Sequence, residues 1–196
     1  LKEFYNFYEW GKYPNNISEK TKRLYHELLS IGRILLIWIN ENTPTLIAKY
    51  SSVSLPEMIE NSPMNLMRII HYPPLNSDVT DGAIRAAAHC DINLITVLPA
   101  ASQPGLQVQT KEDEWLDVEC NPGWLVINTG DMLQECSDGH YPSTIHRVVN
   151  PIAKYAHLSR YSMPLFIHPR DEVILSKRYS AKKYLDERLR DIGLKT

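Results

Sequence analysis

At 196 residues, with 43% hydrophobic and 22% charged side chains, the chain can bury one substantial core and does not require two. A net charge of −2 argues against nucleic acid or an anionic membrane as partner. Three scattered cysteines without a CxxC pair exclude a disulfide framework and point to a reducing, cytoplasmic setting.

No signal peptide opens the chain, and Leu1 starts inside sequence of structured texture, so further residues are expected before it. Residues 1–62 read as a helical segment. Ser18 is the expected N-cap of a helix whose Leu24, Leu28, Ile31, Leu35 and Ile39 recur at helical spacing. Asn42, Thr43 and Pro44 end it. Its apolar run ILLIWI at 34–39 is too short to span a bilayer. A short helix at 55–61 is expected to begin at Ser54, with Pro56 in its first turn.

From Asn65 the texture becomes β-rich, in the runs LMRIIHY, AAHCDINLITVL, LQVQT, EWLDVE, WLVINT, STIHRVVN and LSRYSMPLFI. Turn chemistry separates many of them: Asp81-Gly82, Gln103-Pro104-Gly105, Asn121-Pro122-Gly123 and Ser137-Asp138-Gly139. Short strands at such spacing indicate a sandwich, barrel or jelly roll. Residues 63–170 are therefore expected to form a jelly-roll core. Residues 171–196 form a C-terminal helical segment, with a helix at Ala181–Asp191 before Gly193. The whole chain reads as one domain, mainly β, with helices packed outside.

Within AHCDINLIT, His89 and Asp91 stand two apart, so on an extended chain both side chains point to one face and Cys90 to the other. His146 in STIHRVVN offers a third ligand from another strand. Two imidazoles and a carboxylate with open positions suit non-haem Fe(II), and zinc accepts the same ligand types. In LSRYSMPLF, Arg160 and Ser162 share a strand face, and with them Pro164 and Phe166. A guanidinium within such an apolar face needs an anionic partner, and a ligand carboxylate would supply it.

Taken together, these residues resemble the Fe(II)/2-oxoglutarate-dependent oxygenases, in particular the isopenicillin N synthase-like branch. The matching pieces are RIIHYPP at 68–74, AHCDINLITVL, GLQVQ, EWLDVECNPGWLVINTGDMLQECSDGHYPSTIHRVV and RYSMPLFIHP, about half the chain in family order. The resemblance implies a double-stranded β-helix, a jelly-roll variant. It makes His89, Asp91 and His146 the iron ligands, and Arg160 and Ser162 the anchor of the distal 2-oxoglutarate carboxylate. Tyr72 matches the tyrosine of the family's Tyr-Pro motif and would add a hydroxyl nearby. Ile70 stands where many plant members have an asparagine that helps hold the cosubstrate. Asn93 is expected to face a small-molecule substrate.

The implied activity is oxidation, by default hydroxylation, of a small organic substrate by dioxygen, with release of succinate and CO2 and with ascorbate as a candidate reductant. The branch's namesake binds its peptide substrate with the same Arg and Ser and needs no 2-oxoglutarate. An oxidase of that kind is therefore one alternative, and a non-catalytic jelly-roll binding protein another.

Overall fold

The computed structural model describes residues 2–48, 51–75 and 83–194; the expected Asp81-Gly82 turn lies outside them. The described chain enters on a strand. β1 (Glu3–Phe7) runs antiparallel to β2 (Leu66–Tyr72), with Asn6 opposite Arg68. This corrects the reading of residues 1–62 as helical throughout. EFYNF is a short aromatic stretch without a turn signal, and its partner lies some sixty residues away; β propensity becomes visible only beside a neighbouring strand.

α1 (Lys20–Asn42) follows. The Ser18 hydroxyl accepts the Lys20 backbone N–H at 3.2 Å, and the helix proper begins one residue later than expected. Its deepest face is Tyr25, Leu28, Gly32 and Leu36, with Leu24, Leu35 and Ile39 along the flank. Gly32 allows the helix to settle on the sheet, since a Cβ there would stand 2.0 Å from Ile167 Cδ1. At the C-terminus the Thr43 hydroxyl donates to the Ile39 carbonyl at 2.6 Å, and Pro44 prevents continuation. α2 (Thr45–Ala48) and α3 (Leu55–Met58) are single turns, the second begun as expected at Ser54 and braced by Glu57.

The strands form two antiparallel sheets. The larger contains β1, β2, β10 (Leu165–Ile167), β4 (Ile95–Pro99) and β7 (Leu125–Thr129) in that order, with β9 (Arg160–Ser162) also on β2. The smaller runs β3 (Ala86–His89), β8 (His146–Val148), β5 (Leu106–Gln109), β6 (Trp115–Asp117). Together they make the double-stranded β-helix, with α1 outside the larger sheet and α5 (Ala181–Asp191) closing the chain. α4 (Asp131–Cys136) interrupts the strands after β7 and has no counterpart among the expected elements.

Alternation sorts the larger sheet into two faces. Met67, Ile95, Val97, Leu165 and Ile167 are fully buried in one core with Tyr25, Leu28 and Leu36 of α1. Each such aliphatic side chain contributes about 1.5–3 kcal/mol of burial. The opposite face turns Arg68, Ile70, Tyr72, Thr96, Leu98, Asn128 and Phe166 into a pocket between the sheets. Two expected runs prove to be two strands each. AAHCDINLITVL crosses from the smaller to the larger sheet through the bend at 92–94, and LSRYSMPLFI breaks at Met163-Pro164. No helix among the described residues is long and apolar enough to cross a membrane.

Candidate metal and cosubstrate site

His89 and His146 are cross-strand partners on β3 and β8, which brings their ring centroids to 4.4 Å. Asp91 lies two residues after His89, just past the end of β3 and ahead of the bend at 92–94 that leads to β4. One ligand atom from each of the three lies within 4.8 Å of the others. Cys90 is outside this cluster, on the side of Ser143 and Asp131.

Hydrogen bonding fixes which atoms remain free. His89 Nδ1 faces the Ala87 carbonyl at 2.7 Å, and His146 Nδ1 faces the Thr144 carbonyl at 3.0 Å. A carbonyl can only accept, so both Nδ1 atoms carry the proton and both Nε2 lone pairs are left for a metal. Asp91, 6% exposed, has one oxygen occupied: Oδ2 accepts from the Thr96 hydroxyl at 2.6 Å and the Asn128 amide at 2.9 Å. Its Oδ1 lies 3.7 Å from His146 Nε2. Desolvation first, then the neighbouring His146, lower the His89 pKa although its outer edge meets solvent, which keeps the ring neutral at pH 7. Two imidazole Nε2 atoms and one carboxylate oxygen, all unclaimed and convergent, fit a divalent metal that keeps open positions.

Thr96 and Asn128 were not singled out by the sequence pattern. They are cross-strand partners on β4 and β7, and both turn inward. Thr96 is the one polar residue of β4, and Asn128 is one of two in β7; that was the available signal. Behind them Asn93 donates its amide to the Thr96 hydroxyl at 2.8 Å. Asn93 is 0% exposed, so the expectation that it faces a substrate is corrected: its side chain is used inside the protein, supporting a support. Gly130 makes this possible, because a Cβ there would meet Asn93 Oδ1 at 2.1 Å and its backbone oxygen at 2.4 Å.

Arg160, Ser162, Pro164 and Phe166 all line the same pocket, as their parity predicts. Arg160 is directly opposite Tyr72 and Ser162 directly opposite Ile70, on β9 and β2. Arg160 is 2% exposed; its Nε donates to the Gln103 carbonyl at 3.0 Å, whereas Nη1 is buried without a partner. Such an orphan cationic donor costs several kcal/mol unless an acceptor reaches it, and a carboxylate fits. Its guanidinium and that of Arg85 lie 5.3 and 5.7 Å from the Tyr72 ring. Burial raises the Tyr72 pKa against the pull of these arginines, so its phenol stays protonated and can donate. Opposite Ser162, Ile70 offers no hydrogen bond, which leaves the serine hydroxyl available to a ligand.

The model of the 2OG-Fe(II) oxygenase superfamily matches residues 63–169, and the chain belongs to that superfamily. The 2-oxoglutarate-dependent dioxygenase citB of Monascus ruber is 37% identical over 138 residues, which are 69% of this chain and 40% of that protein. The present chain thus spans less than half the length of that relative. A crystal structure from Shewanella oneidensis, described as that of an oxygenase, is 51% identical with a TM-score of 0.90, covering 98% of this chain and 71% of that one. A full-length Neurospora crassa protein, solved in complex with alpha-KG, shares the fold at 23% identity and a TM-score of 0.81, covering 97% of this chain and 65% of that one.

Proposed function

We propose that the protein is a non-haem Fe(II)- and 2-oxoglutarate-dependent dioxygenase that hydroxylates a small organic substrate. The observation that carries this reading is the shared pocket: a three-ligand cluster of His89, Asp91 and His146, and the buried, unpaired Arg160 Nη1 on the same cavity. His89 Nε2, Asp91 Oδ1 and His146 Nε2 would hold iron. Arg160, Ser162 and Tyr72 would hold the distal carboxylate of 2-oxoglutarate. When bound, metal and cosubstrate supply the oxidation, in which dioxygen places one oxygen atom in the substrate and one in succinate as CO2 leaves.

The chain's own part is positional. Thr96 and Asn128 hold the Asp91 carboxylate, the Nδ1–carbonyl bonds set the histidine tautomers, and Ile70, Leu106, Val108 and Val148 give the pocket apolar walls that limit water. No protein general base is assigned. Ile70 favours a second reading, direct oxidation of a substrate that itself owns the carboxylate, since it removes one polar contact from the 2-oxoglutarate site.

Calorimetric titration of 2-oxoglutarate into Mn(II)-loaded protein tests the assignment without knowledge of the substrate. A charge-assisted hydrogen bond contributes about 1.5–3 kcal/mol, so Arg160→Ala should weaken 2-oxoglutarate binding about 10- to 150-fold or more. Ser162→Ala should cost less. With Fe(II), ascorbate and a substrate pool, succinate should form as dioxygen is consumed. Dioxygen uptake that needs no 2-oxoglutarate and forms no succinate establishes the direct oxidase.

A further inference from the structure

With metal and cosubstrate in place, the pocket would still carry uncompensated positive charge. Apart from the two histidines assigned to the metal, its ionisable lining residues of low or high intrinsic pKa, among those described, are Lys2, Arg68, Arg160 and Asp91. Under the proposed function, a divalent metal, the Asp91 carboxylate, a 2-oxoglutarate dianion and the Arg160 guanidinium sum to zero. Arg68 and Lys2 remain, each a cation with no carboxylate assigned to it.

Arg68 is oriented by the fold with part of its guanidinium left over. Its Nε donates to Asn6 Oδ1 at 2.9 Å across the β1–β2 pair. Its guanidinium carbon lies 4.8 Å from the Phe4 ring and 5.5 Å from the Phe166 ring. Two aromatic faces and one Nε bond orient the fork, yet neither terminal nitrogen has a hydrogen-bond or ion-pair partner among the described residues. Burial lowers its pKa, opposed by Tyr8, Asp91 and Tyr72, as expected for a partly desolvated cation without a counter-ion of its own. An arginine so placed is worth most to a planar, bidentate anion. Phe166, Pro164 and Leu98 on the same wall are apolar.

We propose that Arg68, with Lys2 beside it, is the docking point for a carboxylate on the substrate, so that the protein acts on a small organic acid with an apolar body. This rests on the proposed function, because it assigns Arg160 to the cosubstrate and leaves Arg68 for the substrate.

The test uses Mn(II)-loaded protein saturated with 2-oxoglutarate, titrated with a matched pair of probes, 3-phenylpropanoate and 3-phenylpropanamide. The parent protein should bind the carboxylate at least about tenfold more tightly than the amide. Arg68→Gln should reduce that preference to within about threefold, and Arg68→Lys, which keeps a cation, should retain part of it. Both variants should keep 2-oxoglutarate affinity and the thermal midpoint near those of the parent. A preference unchanged in Arg68→Gln, an absence of carboxylate binding by the parent, or loss of 2-oxoglutarate binding in Arg68→Gln would each overturn the proposal. Failure of the underlying reading is seen separately, as a parent protein that binds no 2-oxoglutarate. The same probe pair on the Mn(II) protein alone then still reports whether Arg68 selects a carboxylate.

Discussion

Replacing Thr96 by Val tests how far the proposed metal site depends on residues that would never touch the metal. Thr96 is 2% exposed, and the change exchanges a hydroxyl for a methyl group of similar shape, so packing is nearly conserved. Two hydrogen bonds are lost: the donation to Asp91 Oδ2 at 2.6 Å and the acceptance from the Asn93 amide at 2.8 Å. The first is charge-assisted, about 1.5–3 kcal/mol; the second strands a buried donor, about 1–3 kcal/mol more. The Asn93 Oδ1 is already without a partner, so that side chain has no local compensation. Stability should therefore fall by about 2.5–6 kcal/mol, read as a lower urea midpoint. Asp91, left with Asn128 as its one side-chain donor, should also bind metal less tightly. Loss of such outer support typically costs 10- to 100-fold in affinity. Mn(II) titration followed by electron paramagnetic resonance measures that, with Thr96→Ser as the control that restores the hydroxyl and should lie within about threefold of the parent. Asn128→Ala should weaken the metal with a smaller loss of stability, since it strands no second donor. A Val variant with parental Mn(II) affinity and parental urea midpoint would refute the reasoning.

Cys90→Ser should leave Mn(II) affinity within a few-fold of the parent, because Cys90 lies outside the ligand cluster; loss of metal on that change alone would show the thiol to be a ligand. Burial pushes the Cys136 thiol up to about 12 from an ordinary value near 9. The folded state therefore disfavours the thiolate that the unfolded chain forms readily, and this contribution to stability is lost as pH rises from about 9 toward 12. At pH 8 iodoacetamide should modify Cys136 only as fast as the protein unfolds; rapid modification of the folded protein would contradict its burial.

What was legible in the sequence was whatever depends on residue spacing within one element. LMRIIHY became β2 at its expected bounds, and the inward set Arg160, Ser162, Pro164 and Phe166 followed from parity, because two-residue alternation survives even the break at Met163-Pro164. The C-terminal helix also lies at its expected bounds, Ala181–Asp191, and the structure adds its cap, the Ser180 hydroxyl accepting the Lys183 N–H. The candidate ligand cluster was legible as a spacing: His89 and Asp91, two apart, do come together, although Asp91 stands just past the end of β3 in the five residues 90–94 that join the two sheets.

The residues whose roles were not legible share a different property: those roles are fixed by what packs against them. Asn93, two positions after Asp91, resembles a pocket residue until β7 and Gly130 close behind it. Arg68 reads as the polar member of an alternating strand, and only β1 shows it gripped by Asn6 and Phe4. β1 itself is short, and just one of its residues, Phe7, is buried in the core. Its Phe4 and Asn6 turn to Arg68 on the pocket wall instead of to the core, so the hydrophobic pattern that identifies a buried strand is absent from EFYNF. A strand that contributes little to the core can still decide what the pocket binds, because it orients a charge. Changes at Phe4 or Asn6 should accordingly alter ligand preference more than stability, the reverse of changes at Met67 or Ile167 on the other face of the same sheet.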